Sequence, residues 1–123
     1  MAEYKMREPL LFRKLTQYQK HRYKLASAIL LDRFMRSDWT DAQACLLSIF
    51  IWYHEVESKN RLKFSEEIRL NAFVGSHNYT LLSPLVKSGI IDQEYGQGYY
   101  SLSKKAMVLQ DKVIVFLKKI DQA

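Results

Sequence analysis

The residues of this chain that could do chemistry are few. There are three histidines, His21, His54 and His77, and one cysteine, Cys45. "HEVES" from His54 starts like a zinc-binding helix, where two histidines four residues apart share one face. The residue four on from His54 is Ser58, so the second ligand is missing and His54 reads as a helix-end residue. Cys45 lies in the apolar run "ACLLSIFIWY" with no basic neighbour in sequence to lower its thiol pKa, which is the setting of an inert packing cysteine. A single thiol cannot close an intramolecular disulfide, so the chain reads as cytoplasmic, from a reducing compartment. "NYT" at Asn78 has the form of a glycosylation acceptor, but nothing else indicates secretion. There is no phosphate-cradling glycine loop, nucleophile elbow or paired-acid signature. The expectation is a protein that is not an enzyme and uses no cofactor and no metal.

A different chemistry is available in "GSHNYTLLSPLVKSG". If Leu81, Leu82 and Leu85 face a core, helical spacing turns Ser76, Thr80, Ser83 and Lys87 outward, flanked by His77 and Tyr79. Hydroxyls can bond base edges or phosphates, and a lysine can neutralise a phosphate. The set contains no carboxylate. Arg61, Lys63 and Arg69 precede it and could meet a phosphate backbone. Residues 59–89 hold five basic side chains (Lys59, Arg61, Lys63, Arg69, Lys87) against Glu66 and Glu67, a net of +3. Residues 1–39 hold nine basic and four acidic residues, a net of +5, and the whole chain carries +6. That balance permits a polyanionic partner; the plainer reading is a solvated, soluble surface.

These side chains need a frame. With 123 residues, 48% of them hydrophobic, the chain fits one domain with a real core. No apolar run is long enough to span a bilayer, which excludes a membrane partner of that kind. Residues 16–35 read as one long helix, with Tyr18, Leu25, Ala26, Ile29, Leu30 and Phe34 inward and Lys20, Arg22, Lys24, Arg33 and Arg36 on other faces. "TDAQ" at Thr40 is a capping box for a central helix that is apolar on nearly every side. "KNRLKF" admits a short strand at Leu62–Phe64. Ser65 caps a short helix that presents Ile68, Ala72 and Phe73 inward and ends at Gly75. Ser76 caps a second short helix that ends at Gly89, and Pro84 inside it predicts a kink near Ser83. "IIDQE" and "YYSLS" read as strands joined by "YGQG", and Ser103 caps a last helix. In that helix Ala106, Leu109, Val113, Phe116, Leu117 and Ile120 form one stripe. Met107, Val108, Ile114 and Val115 lie off it, an apolar excess that predicts burial against a second chain.

The fold class predicted is mainly α with a small β hairpin. The order helix, helix, helix–turn–helix, hairpin, helix resembles a winged helix–turn–helix. The run of Leu85, "KSG" with Gly89, "IID" and "SLSKKA" is similar in order and spacing to the MarR-like transcriptional regulators. The resemblance implies a single domain over 1–123, with a winged core at 40–102 and terminal segments 1–38 and 103–123 intertwining in a homodimer. It implies sequence-preferring duplex DNA binding, with phosphate contacts from Arg61, Lys63, Arg69 and Lys87 and preference from Ser76, His77, Tyr79, Thr80 and Ser83. The family's wing offers a basic tip to the minor groove. This hairpin carries Asp92 and Glu94 and would offer Gln97 and Tyr99 instead. A small apolar effector would be held by Trp39, Trp52, Tyr53, Phe50 and Tyr23, which otherwise are plain core. The alternative function is a winged-helix protein-interaction module.

Overall fold

The structure is a computed structural model that describes residues 10–33, 41–68, 78–94 and 98–122. Its elements run α1 (Leu10–Arg13), α2 (Gln17–Arg33), α3 (Asp41–Glu57), β1 (Arg61–Lys63), a π-helical turn (Phe64–Ile68), α4 (Asn78–Lys87), β2 (Ile91–Glu94), β3 (Tyr99–Leu102) and α5 (Lys104–Asp121). The architecture is mainly helical with a small three-stranded antiparallel sheet.

The long first helix opens on a reciprocal cap. The Gln19 amide donates to Thr16 Oγ1 at 3.2 Å, and the Thr16 amide donates to Gln19 Oε1 at 3.0 Å. "TQYQ" is thus a capping box of the same pattern as "TDAQ", whose Thr40 lies outside the described residues. Two expectations for α2 are corrected. Tyr18 is about half exposed and its hydroxyl donates to Asp121. Arg22, expected on a solvated face, is buried at 7% exposure because two carboxylates on other helices surround its guanidinium.

Helix α3 is buried throughout residues 43–51, including Gln43 and Ser48. Ser48 Oγ donates to the Cys45 carbonyl at 2.7 Å, and Ser27 Oγ donates to the Tyr23 carbonyl at 3.0 Å, so these buried hydroxyls are satisfied. Cys45 is buried in that wall, in no disulfide, with the Ser27 hydroxyl 3.6 Å from its sulfur. The helix ends on Ser58 in the left-handed region, φ 54°. The Ser58 and Lys59 amides donate back to the carbonyls of His54 and Tyr53. A serine pays about 1–2 kcal/mol there, and glycine removes that strain at about 0.5–1 kcal/mol of chain entropy. Ser58→Gly is therefore expected to stabilise the fold by about 0.5–1 kcal/mol, read as a higher urea midpoint at unchanged m value.

The sheet order is β1-β3-β2. Strand β1 covers Arg61–Lys63, one residue earlier than expected, and makes the hairpin three-stranded. Register places Leu62, Tyr100 and Gln93 in one row and Ile91 with Leu102 in the next. That face is the core face: Leu62, Tyr100, Leu102 and Ile91 are buried, and Gln93 Nε2 donates to the Tyr100 hydroxyl at 3.1 Å. The π-helical turn after β1 buries Ile68 as expected. Glu67 fixes it, accepting from the Lys63 amide at 3.0 Å and pairing with Lys59 at 2.7 Å. Ala72, Phe73 and Gly75 lie outside the described residues.

Helix α4 buries Leu82 and Leu85 and stops where Gly89 takes φ 78°. The Gly89 and Ile90 amides donate to the carbonyls of Val86 and Leu85 at 3.1 and 3.0 Å, a left-handed cap that turns the chain straight into β2. No interruption occurs at Ser83: the helix continues through Pro84, whose carbonyl still accepts from Ser88 at 3.0 Å. Pro84 is on the exposed side, where water can serve a carbonyl deprived of its donor.

The last helix is capped as expected: the Ala106 amide donates to Ser103 Oγ at 3.3 Å. Its buried rows are Ala106, Gln110 and Ile114, and Leu109, Val113 and Leu117. The expected stripe was rotated slightly, since Ile114 faces the core and Phe116 is 43% exposed. Among the described residues no helix is long and apolar enough to cross a membrane.

Candidate nucleic-acid interface

The outward face of the sheet is set by the same register. One row is Arg61, Ser101, Asp92; the next is Lys63, Tyr99, Glu94. Strand β1 therefore brings basic residues to a surface whose far edge, β2, is acidic. The central strand places an aromatic ring between them. Arg61 is half exposed, and its guanidinium is held against the sheet face. Its guanidinium lies 3.7 Å from the Tyr99 ring centroid and pairs with Glu94 through Nε and through Nη2, the latter at 3.1 Å from Oε1. The hydrogen bonding to Glu94 raises the Arg61 pKa further above its already high value. The Lys63 ammonium is 6.0 Å from the same ring. The structure thus assembles three expected site residues, Arg61, Lys63 and Tyr99, on one face, and adds Glu94 to them.

Helix α4 carries the other described candidates. Lys87 is exposed at its C-terminal end, and Ser83 is half-buried beside the exposed Pro84. Tyr79 and Thr80 belong to its first turn. Arg69, Ser76, His77 and Gln97 lie outside the described residues.

Sequence reasoning missed Glu94 as a partner of Arg61. The residues are 33 apart in sequence, and only the pairing of β1 with β3 brings β1 to the hairpin. It also missed the cluster around Arg22. There the guanidinium donates to Glu55 at 2.5 and 2.6 Å and to Asp121 at 2.9, 3.0 and 3.2 Å, while the Tyr23 hydroxyl donates to Glu55 at 2.6 Å. Burial alone would raise the Glu55 carboxyl, but the hydrogen bonds from Arg22 and Tyr23 outweigh it and hold the carboxyl below its ordinary value. Hydrogen bonds from Arg22, then Tyr18, lower the Asp121 carboxyl. Burial, then the bond to Glu55, raises the Tyr23 phenol. Arg22 is thereby withdrawn from any surface basic patch.

The apolar excess of the last helix has a definite location. Leu25, Ala28 and Ile29 of α2 face Leu109, Val115 and Phe116 of α5 across an open groove of about 500 Å³. Asp32 stands on the α2 rim and Lys112 and Lys119 on the α5 rim. The aromatics suggested for an effector do not line it. Tyr23, Phe50 and Tyr53 are buried in the core, Trp52 packs edge-on against Tyr53 at 5.0 Å, and Trp39 lies outside the described residues. A cavity that touches Phe50 holds only about 10 Å³, room for one water at most. His54 is half-buried at the end of α3 and bonds Asn60. Among the described residues no group of three or more histidine, cysteine, aspartate or glutamate side chains could hold a metal.

Comparison with known families, with characterised proteins and with solved structures gives no match for this chain.

Proposed function

We propose that this protein is a sequence-preferring, duplex DNA-binding transcriptional regulator of winged helix–turn–helix form that acts as a homodimer. The observation that carries the reading is the passage from α4 through the left-handed Gly89 into a three-stranded sheet of order β1-β3-β2, with Lys87 exposed at the helix end. A helix with one apolar face on the core and one polar face outward suits the major groove. Lys63 and Lys87 supply backbone contacts, and α4 together with the residues just before it supplies base preference. The second chain occupies the groove between α2 and α5. Its walls are largely apolar, and Asp32, Lys112 and Lys119 also line it. Two half-sites are then read in step.

The test is a gel shift with random duplex over a salt series. The affinity is expected to fall by about 0.9 log unit per log unit of salt for each phosphate neutralised. Lys87→Ala is expected to lower that slope by about 0.9 per contact removed, or about 1.8 in a dimer. Absence of binding even at low salt would sink the reading. The acidic strand β2 and the engaged Arg61 would then favour a winged-helix protein-interaction module.

A further inference from the structure

We propose that Glu94 sets the affinity for duplex by occupying, on the Arg61 guanidinium, the place a DNA phosphate would take. This inference rests on the duplex-binding reading above and names a residue that governs the same site.

The geometry is specific. Strand register puts Arg61 in the row of Ser101 and Asp92, so its nearest carboxylate across the sheet would be Asp92. It instead crosses diagonally over the ring of Tyr99 to reach Glu94 in the adjacent row. The side chain is therefore held along two directions: its flat face lies on an aromatic ring and its Nε–Nη2 edge forks into a carboxylate. A phosphodiester presents the same planar pair of oxygens to that fork, which is why guanidinium groups bind carboxylate and phosphate alike. Both side chains are about half exposed, at 52% and 51%, so the edge that binds Glu94 can be reached from solvent. An exposed pair of this kind is weak, and a phosphate can displace it. Lys63 stands on the same face as a second cation for the same backbone. Stacking on Tyr99 keeps Arg61 ready for a phosphate once the carboxylate is removed. A hairpin with an acidic edge is thus a brake on affinity, built from the residue that would otherwise make the contact.

A double-mutant cycle by gel shift on random duplex across the salt series tests this. Glu94→Gln is expected to bind about three- to tenfold tighter at low salt. Its salt slope should be steeper by about 0.9 per freed arginine. Arg61→Ala alone should bind no tighter than wild type, and somewhat weaker at low salt, because it leaves the Glu94 carboxylate unpaired on that face. The double variant should also return close to wild type. Glu94→Asp keeps the charge but shortens the reach, and should show part of the gain; it guards against reading mere loss of repulsion as release of Arg61. The proposal is overturned if wild type binds with a clear salt slope and Glu94→Gln does not change it. It is equally overturned if the double variant binds as much tighter than wild type as Glu94→Gln does, or if Arg61→Ala by itself lowers the slope by the full ~0.9 of a lost phosphate contact. Those three outcomes leave the duplex-binding reading standing. Failure of every variant, wild type included, to bind duplex at any salt overturns both.

Discussion

Arg22→Met is expected to cost about 3 kcal/mol of unfolding free energy at neutral pH. Arg22 on α2 is the common partner of Glu55 on α3 and Asp121 at the end of α5, so one guanidinium ties three helices. Methionine fills much of the stem's volume but, among the described residues, leaves Glu55 the Tyr23 hydroxyl as its hydrogen-bond partner, in a site where its side chain is 17% exposed. Removing one member of a partly buried pair leaves an uncompensated charge, which is where most of the loss arises. The Asp121 share is small, since that side chain is 39% exposed and water can replace the arginine. Arg22→Lys should recover only part, because an ammonium cannot fork into two carboxylates at once. The sign of the pH dependence follows from the lowered carboxyls. Glu55 and Asp121 are depressed in the folded protein, so they add stability above their ordinary unfolded range, and that stability is lost as pH falls through their folded values. The gap between wild type and Arg22→Met should therefore narrow on acidification. Urea unfolding at neutral and acid pH measures both; a gap that stays constant with pH would mean the cluster contributes packing rather than charge pairing.

The sequence disclosed whatever is local. Ser103 and Gly89 announce a cap and a stop through the chemistry of a hydroxyl and of a left-handed residue, and both lie where expected. The all-apolar helix after Asp41 is the buried centre. "TQYQ" carries the same local signal as "TDAQ", a hydroxyl and an amide three residues apart. What stayed hidden depends on non-local pairing. Arg22 reads as a solvated charge until α3 and α5 deliver carboxylates to it. Arg61 reads as a free backbone contact until β1 joins the hairpin and brings Glu94 within reach. Phe116 and Ile114 differ by two residues on a helix, and the periodicity of an amphipathic stripe does not decide between neighbours when both are apolar. At Pro84 the helix runs on past the missing bond, with Leu82 and Leu85 buried on either side of it and the Gly89 cap beyond. For the candidate site, the basic residues and the aromatic were nameable in advance, but their electrostatic state was not.

Phe116→Glu is expected to convert the proposed homodimer to monomers without unfolding either. Phe116 and Val115 are 43% and 54% exposed in the single chain, so a charged side chain at either position meets water and costs the monomer little. In the proposed dimer the same position faces the apolar wall of the partner's groove. Forfeiting even the lower end of a phenylalanine's burial in both copies amounts to about 3 kcal/mol, a weakening of the dimer by a factor of ~100 or more. The buried glutamate would add to this. Light scattering after gel filtration should report the monomer mass, with a helical signal and melting curve like those of wild type. Val56→Glu is the control: Val56 is 55% exposed on α3 and does not line the groove, so that variant should remain dimeric. Asp32→Lys separates charge from apolar area, since it makes the groove's charged lining uniformly basic while leaving the apolar walls intact. Duplex affinity should fall with dimerisation, because a lone α4 contacts one half-site and forgoes the linkage between two. A wild-type chain that is already monomeric at concentrations where it binds duplex would remove the groove from the mechanism and leave α4 and the sheet to act alone.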